Sequence, residues 1–345
     1  MMRRALGLAE RGLYSTTPNP RVGCVVCSKE QIVGEGWHEK AGGPHAEVVA
    51  LERAGERAGG ATVYVTLEPC RHQGRTPPCV ELLAKKKVAR VVAAMRDPNP
   101  EAGYGGGALA AAGIGFEHGL MENEARELNI GFVSRMTRGR PWVRLKVAAS
   151  LDGRTALHDG RSQWITGPEA RRDGHRWRAR ACAVLTGIGT VKADDPRLTV
   201  REVETPRQPL RVIVDSRLET PRGARILAGD KVLVFSAKEG SLSNAEVIRL
   251  PNPNQKVDLP KMLEELARRG VNELHVEAGF RLNGSLAREG CVDEYLIYLN
   301  PSFLGEGAQG MLDLPAFDSL EKRLRLKILS LERLGEDLRI VARPA

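Results

Sequence analysis

Along the first 136 residues the apolar positions switch repeatedly between a spacing of three to four and a spacing of two, the change that separates an amphipathic helix from a half-buried strand. The spacing predicts a helix near Arg3–Glu10, strands near Val22–Cys27 and Gln31–Gly36, and a helix from about Ala46. The apolar run Ala61–Leu67 predicts a further strand. Pro77-Pro78 opens a helix reaching Lys86, and Val88–Met95 predicts the next strand, ended by Asp97-Pro98-Asn99-Pro100. A weaker helix, strand and helix follow through Asn129.

The segment Arg135–Pro141 is polar, basic and punctuated by Gly139 and Pro141, which predicts a boundary between a domain of residues 1–138 and one of residues 139–345. The pattern then restarts with a strand, Trp142–Ala149, and continues with strands near Leu210–Val214, Val232–Phe235, Leu274–Glu277 and Tyr295–Leu299. A chain of 345 residues exceeds one ordinary core, so two α/β domains are expected. There is no internal repeat or low-complexity tract, and Pro251–Asn254 reads as a surface loop.

Composition narrows the class. With 42% hydrophobic and 28% charged residues the chain is globular rather than disordered. No apolar run approaches the roughly 18 residues of a membrane span, and Met1-Met2-Arg3-Arg4 lacks the apolar core of a secretory signal, so a cytoplasmic protein without a membrane partner is expected. Six cysteines in a chain this long are expected as reduced thiols or metal ligands. A net charge of +9 fits nucleic acid or, equally, a phosphorylated small substrate and an anionic cofactor.

The chemistry concentrates at His45, Glu47, Cys70 and Cys79. His45 precedes a helix, Cys70 follows the strand ending near Leu67, and Cys79 opens the next helix. One imidazole and two thiolates give zinc three protein ligands and leave a fourth position for water, the mark of a catalytic metal. Zinc lowers the pKa of water toward about 7, and Glu47, two residues beyond His45, is placed to carry protons as general acid and base. The first helical turn is expected to favour a thiolate on Cys79. Two unrelated buried cysteines remain the plain alternative, because eight residues, Arg71–Pro78, separate Cys70 from Cys79. His-x-Glu followed by Pro-Cys-x-x-Cys marks zinc nucleobase deaminases, which the chain resembles apart from that longer spacing.

The resemblance sharpens over the runs Thr17–Cys24, Gly34–His38, Pro44–Val48 and Thr66–Cys79. These resemble the bifunctional riboflavin-biosynthesis deaminase/reductase family, whose own variant carries the longer cysteine spacing. Lys146–Arg154, Trp164–Gly167 and Gly189–Pro196 look like that family's reductase domain, which resembles dihydrofolate reductase. The resemblance implies a cytidine-deaminase-like three-layer α/β/α domain followed by a dihydrofolate-reductase-like α/β domain. It implies zinc-dependent hydrolytic deamination of 2,5-diamino-6-ribosylamino-4(3H)-pyrimidinone 5′-phosphate, then NADPH-dependent reduction of the ribosyl chain to give 5-amino-6-ribitylamino-uracil 5′-phosphate. Zinc and NADPH are the implied cofactors and a homodimer or larger homo-oligomer the implied assembly.

Carried over motif by motif, Asn19, His38, His72 and Arg75 hold the deaminase substrate. Ala148, Trp164, Thr190, Asp194, Ser216 and the run Gly279, Phe280, Arg281, Leu282, Asn283, Gly284 and Ser285 contact NADPH. Ser162, Arg178, Leu198, Arg201 and Glu277 contact the sugar phosphate. Gly279–Gly284 reads as a glycine-bounded turn with a helix from Ser285 whose start cradles a phosphate. No Gly-x-Gly-x-x-Gly follows the first strand of this half, so a Rossmann site is not expected there. The family's usual start is a few residues longer, so the first helix is expected to be a turn short.

Two rivals remain. A transfer-RNA deaminase accounts for the basic charge but not for the second domain. A non-catalytic, zinc-stabilised regulator leaves Glu47 without a task.

Overall fold

The computed structural model describes residues 1–72, 77–102, 104–229 and 232–345. The chain divides into two compact units, Met1–Gly139 and Arg140–Ala345.

In the first unit the elements run α1 (Met2–Glu10), β1 (Gly23–Ser28), β2 (Gln31–Trp37), α2 (Ala46–Ala54), β3 (Thr62–Val65), α3 (Cys79–Lys85), β4 (Arg90–Ala93), α4 (Gly105–Ala111), β5 (Gly115–His118), α5 (Glu122–Leu128) and α6 (Ile130–Arg138). The sheet has the order β2-β1-β3-β4-β5. Its first two pairings are antiparallel and its last two parallel. Val25, Val63, Val65, Val91 and Leu83 are buried in the core, with Ala46, Ala50 and Leu51 contributed by α2.

The approach of α2 to the sheet is closer than side chains allow. A Cβ at Gly34 would stand 2.1 Å from the Ala50 carbonyl oxygen, and one at Gly36 would stand 2.6 Å from that of Ala46. Helix backbone therefore rests on strand backbone, which explains glycine at both positions of a strand whose propensity it weakens.

The second unit runs β6 (Trp142–Ser150), β7 (Arg154–Ala156), α7 (Pro168–Arg180), β8 (Ala183–Gly187), α8 (Ile188–Asp194), β9 (Leu210–Val214), β10 (Val232–Ser236), β11 (Glu246–Arg249), α9 (Leu259–Arg268), β12 (Glu273–Val276), α10 (Phe280–Arg288), β13 (Glu294–Asn300), β14 (Gln309–Gly310), β15 (Leu326–Leu334) and β16 (Asp337–Pro344). The main sheet has the order β11-β10-β9-β8-β12-β6-β13-β16-β15. It is parallel through β13 and closes with an antiparallel hairpin, β15–β16. The buried runs of β8 and β12 are continuous rather than alternating, as expected of parallel strands packed on both faces.

Some of those buried positions are charged. Arg144 on β6, 2% exposed in its side chain, bonds Glu273 and Glu294 and lies 4.2 Å from the Trp177 ring on α7. Arg180 shares Glu273 and Arg343 shares Glu294, so no carboxylate of this row is left alone. Removing any single member would strand a buried charge.

One expected element changes. The glycine-bounded turn ends at Gly279, the N-cap of α10, and residues from Phe280 onward are already helical. Gly284 is therefore not a turn residue. A Cβ there would meet the Asp313 backbone at 2.3 Å, so glycine admits a neighbouring chain rather than ending the turn.

Candidate active sites

The helix α2 begins at Ala46, with His45 as its N-cap in extended conformation. That places the imidazole at the helix mouth and Glu47 in the first turn. Cys70 follows β3 by five residues, and Cys79 opens α3. His45 Nδ1 and the Sγ atoms of Cys70 and Cys79 lie within 4.8 Å of one another. The imidazole nitrogen is 3.2 Å from Cys79 Sγ and 3.6 Å from Cys70 Sγ. One nitrogen and two sulfurs converging on one point are the donor set of a catalytic zinc site.

The start of α3 stabilises thiolate charge through Cys70 as well. The Cys79 backbone N–H, the first of α3, lies 3.5 Å from Cys70 Sγ, so the helix start favours charge on Cys70. Hydrogen bonds from Cys79 and His45 bring the Cys70 thiol down to about 4, whereas Cys79, bonded to Cys70 and buried, is pushed up. The pair thus releases its first proton readily, and a divalent cation that needs both thiolates displaces the second. Glu47 is 3% exposed and its Oε2 has no hydrogen-bond partner among the described residues. Burial pushes its pKa up. An unpaired carboxylate oxygen buried beside a metal-type cluster is what a proton carrier requires.

Asn19 and His38 come together at the same site. His38 Nδ1 stands 2.9 Å from the Pro44 carbonyl, an acceptor only, so this nitrogen carries the hydrogen. Nε2 then accepts from Asn19 Nδ2 at 3.0 Å. Burial lowers the His38 pKa and keeps the ring neutral, and the ring stands edge-on to His45 at 5.6 Å. His72 is exposed two residues beyond Cys70. Arg75 lies outside the described residues.

Two supporting residues carried no sequence signal of their own. Glu68 accepts from the Gly106 N–H at 2.8 Å and the Asp97 N–H at 3.3 Å, tying the Cys70 loop to the start of α4. A Cβ at Gly105 would stand 2.0 Å from the Pro69 carbonyl oxygen. Asp97 is raised to about 6 by burial.

In the second unit, Glu277 follows β12 and is held by Arg178 of α7 through a two-point contact, its Nη2–Oε2 arm at 2.9 Å. Arg178 Nη1 also donates to the Thr199 carbonyl. Lys146 of β6, absent from the sequence-based set, places its ammonium 3.9 Å from Glu277 Oε2. The pull of Arg178 and Lys146 holds Glu277 well below the usual carboxylate range in spite of its burial. Arg201 donates its backbone N–H to His175 Nδ1 at 3.1 Å, and Leu198, buried at φ +51°, lies on the same segment.

The cofactor set falls into several places. Thr190 on α8 faces Gly279 at the mouth of α10, since a Cβ there would lie 3.5 Å from its Oγ1. Asp194 ends α8 and is hydrogen-bonded by Gln163 and Ser162. Ala148 lies on β6. Trp164 is 71% exposed with the Arg171 guanidinium 4.8 Å from its ring. Ser216 accepts from the Val257 N–H. Within α10, Phe280 and Arg281 open the helix, and the Leu282 side chain lies near Gly187. Asn283 is turned inward onto the Ala278 carbonyl, and Ser285 bonds back to that of Arg281.

Residues 141–340 match the family model described as RibD C-terminal domain, and residues 1–95 match the cytidine and deoxycytidylate deaminase zinc-binding region. The riboflavin biosynthesis protein RibD of Escherichia coli is 46% identical, with 98% of this chain and 96% of that protein covered. The chain belongs to the RibD family. RibD of Aquifex aeolicus is 44% identical over 98% of this chain and 96% of its own length. The solved RibD of Acinetobacter baumannii, form 1, superposes with a TM-score of 0.94 at 46% identity, covering 100% of this chain and 98% of that one. A Thermotoga maritima structure described as a diaminohydroxyphosphoribosylaminopyrimidine deaminase/5-amino-6-(5-phosphoribosylamino)uracil reductase gives 0.91 at 34% identity, covering 100% and 97%. Like its RibD relatives, the chain is a bifunctional riboflavin-biosynthesis enzyme joining a zinc-binding deaminase domain to a reductase domain. No helix among the described residues is long and apolar enough to cross a membrane.

Proposed function

We propose that residues 1–138 deaminate 2,5-diamino-6-ribosylamino-4(3H)-pyrimidinone 5′-phosphate, and that residues 139–345 then reduce the ribosyl chain with NADPH to 5-amino-6-ribitylamino-uracil 5′-phosphate. The observation that carries this reading is Glu47's unpartnered Oε2, buried beside the converging His45, Cys70 and Cys79. His45, Cys70 and Cys79 hold the zinc. When bound, zinc supplies the Lewis acidity that makes water nucleophilic near neutral pH. Glu47 would carry the two protons of the attacking water in turn, one to the ring nitrogen and the second to the departing amino group, so that ammonia leaves. Asn19 and His38, fixed by their mutual hydrogen bond, orient the pyrimidine, and His72 and Arg75 also hold the substrate.

In the second step Ala148, Trp164, Thr190, Asp194, Ser216 and residues 279–285 contact NADPH. The start of α10 offers free backbone N–H groups to its phosphates. Ser162, Arg178, Leu198, Arg201 and Glu277 contact the sugar phosphate. The arginines suit a phosphate because a guanidinium presents paired donors.

The enzyme works in the cytoplasm as a homodimer and needs no nucleic acid. Its self-association is supported by the edge strand β15, where Leu326, Ile328, Leu329 and Leu331 are 37–58% exposed. A monomer mass in light scattering at micromolar concentration would sink the dimer.

The deciding experiment follows ammonia and NADPH together in zinc-loaded enzyme supplied with the diaminopyrimidine ribosyl phosphate. Ammonia release followed by NADPH consumption is expected. Ammonia without NADPH consumption would overturn the reductase half, and no ammonia would overturn the deaminase half.

A further inference from the structure

His275 lies on β12 two residues before Glu277, in register with Arg144 on one side and Val184 on the other. It is 0% exposed, and neither ring nitrogen has a hydrogen-bond partner among the described residues. Its Nε2 stands 3.5 Å from Glu277 Oε1, beyond the usual range of about 2.7–3.2 Å. As a space-filler an imidazole is a poor choice here, because an aliphatic side chain would fill the same volume without two unsatisfied polar atoms. Full burial, aided by the flanking cations Arg144 and Arg178, lowers the pKa of the ring against the pull of Glu277, and a neutral imidazole still has one hydrogen to donate.

The donor inventory of Arg178 supplies the task. Three of its five N–H groups are engaged, those on Nε and Nη2 by Glu277 and one on Nη1 by the Thr199 carbonyl, and the reading above turns the remaining two to the substrate phosphate. A guanidinium shared with a phosphate holds Glu277 less strongly, and that carboxylate is only 14% exposed in its side chain. The groups then left beside it are Lys146, 3.9 Å from Oε2, and His275, 3.5 Å from Oε1.

We propose that His275 is a positioning residue for Glu277, its Nε2–H closing on Oε1 when Arg178 is shared with the sugar phosphate, so that the carboxylate keeps its place during reduction. The inference rests on the reductase reading for its substrate but not for its geometry.

The test compares His275→Leu with His275→Gln, whose amide N–H can replace the donor, in full-length zinc-loaded enzyme. With the deaminated ribosylaminopyrimidine phosphate as substrate, His275→Leu is expected to lower kcat for NADPH oxidation about tenfold with KM for NADPH unchanged, and ammonia release from the diaminopyrimidine substrate is expected to stay at the parent rate. His275→Gln is expected to recover most of that loss. Thermal melting separates this from a structural role, since His275→Leu removes two unsatisfied atoms and should melt no lower than the parent. Equal turnover in the Leu variant and the parent, or equal losses in both variants, would overturn the proposal.

Titration with ribose 5-phosphate needs no turnover and stands even if the parent enzyme oxidises no NADPH, the result that would sink the reductase reading instead. Binding several-fold weaker in His275→Leu and restored in His275→Gln supports the proposal. Unchanged binding in His275→Leu refutes it.

Discussion

Asn19 donates to His38 Nε2 across 3.0 Å, while the opposite ring nitrogen donates to the Pro44 carbonyl. The imidazole is thereby fixed in one tautomer and one orientation immediately beside the metal-type cluster. Asn19→Ala should free the ring to rotate and cost deamination about tenfold in kcat/KM, roughly the worth of one positioning hydrogen bond. Ammonia kinetics with zinc analysis checks it, and a variant that loses its zinc would assign Asn19 to folding.

Glu47→Gln keeps the volume of the side chain and removes its capacity to exchange protons. Ammonia release is expected to fall by about 10²–10⁴, the usual share of general acid–base catalysis, with zinc content and NADPH oxidation retained. An empty metal site in this variant would mean that Glu47 serves the metal rather than the reaction.

The Arg178–Glu277 pair is nearly enclosed, with side chains 15% and 14% exposed. Glu277→Gln should therefore impair NADPH oxidation without affecting ammonia release. It should also destabilise the second unit, by up to about 3–5 kcal/mol, since the cation left behind stays largely out of water. Calorimetry and the two activity assays measure both effects, and equal loss of both activities would contradict two independent sites.

Gly105→Ala carries a methyl group toward a carbonyl oxygen 2.0 Å away. The Cys70 loop and the start of α4 must then part, breaking Glu68's bond to the Gly106 N–H. A loss of about 1–3 kcal/mol is expected, together with weaker zinc retention against a chelator. Unaltered zinc affinity would show that the loop holds its ligand without this contact.

His175 is buried, accepts the Arg201 N–H, and is lowered to about 4 by burial and by Arg178 and Arg201, from an ordinary 6.5. The unfolded chain therefore takes up this proton first as pH falls. Stability from the neutral ring is complete above about 6.5 and is lost as pH drops toward 4. The melting temperature of the second unit should decline over that interval, and His175→Gln should flatten part of the slope. An identical slope in the variant would exclude His175 as a source.

The sequence pattern located the deaminase chemistry well because its ligands sit at element ends, where His45, Cys70 and Cys79 are each flagged by a neighbouring proline or strand end. It located the second site less completely. Lys146 acts through Glu277, far along the chain, and in the first unit Glu68 likewise acts through backbone N–H groups tens of residues away, so nothing local distinguishes either from surface charge. Strand β8 is a five-residue run buried throughout, without the alternation that would separate a strand from buried helix. The start of α10 was displaced because Gly284 resembles a turn residue, when its missing side chain makes room for Asp313.

The glycines beneath α2 bear on how this site drifts over generations. Where helix and strand meet through side chains, repacking substitutions can slide one over the other by fractions of an ångström. Gly34 and Gly36 set strand backbone against the Ala46 and Ala50 backbone, so the height of Glu47 above the sheet is set chiefly by backbone radii, which substitutions elsewhere in the core alter less. The rest of that core is free to vary while the proton carrier stays in place.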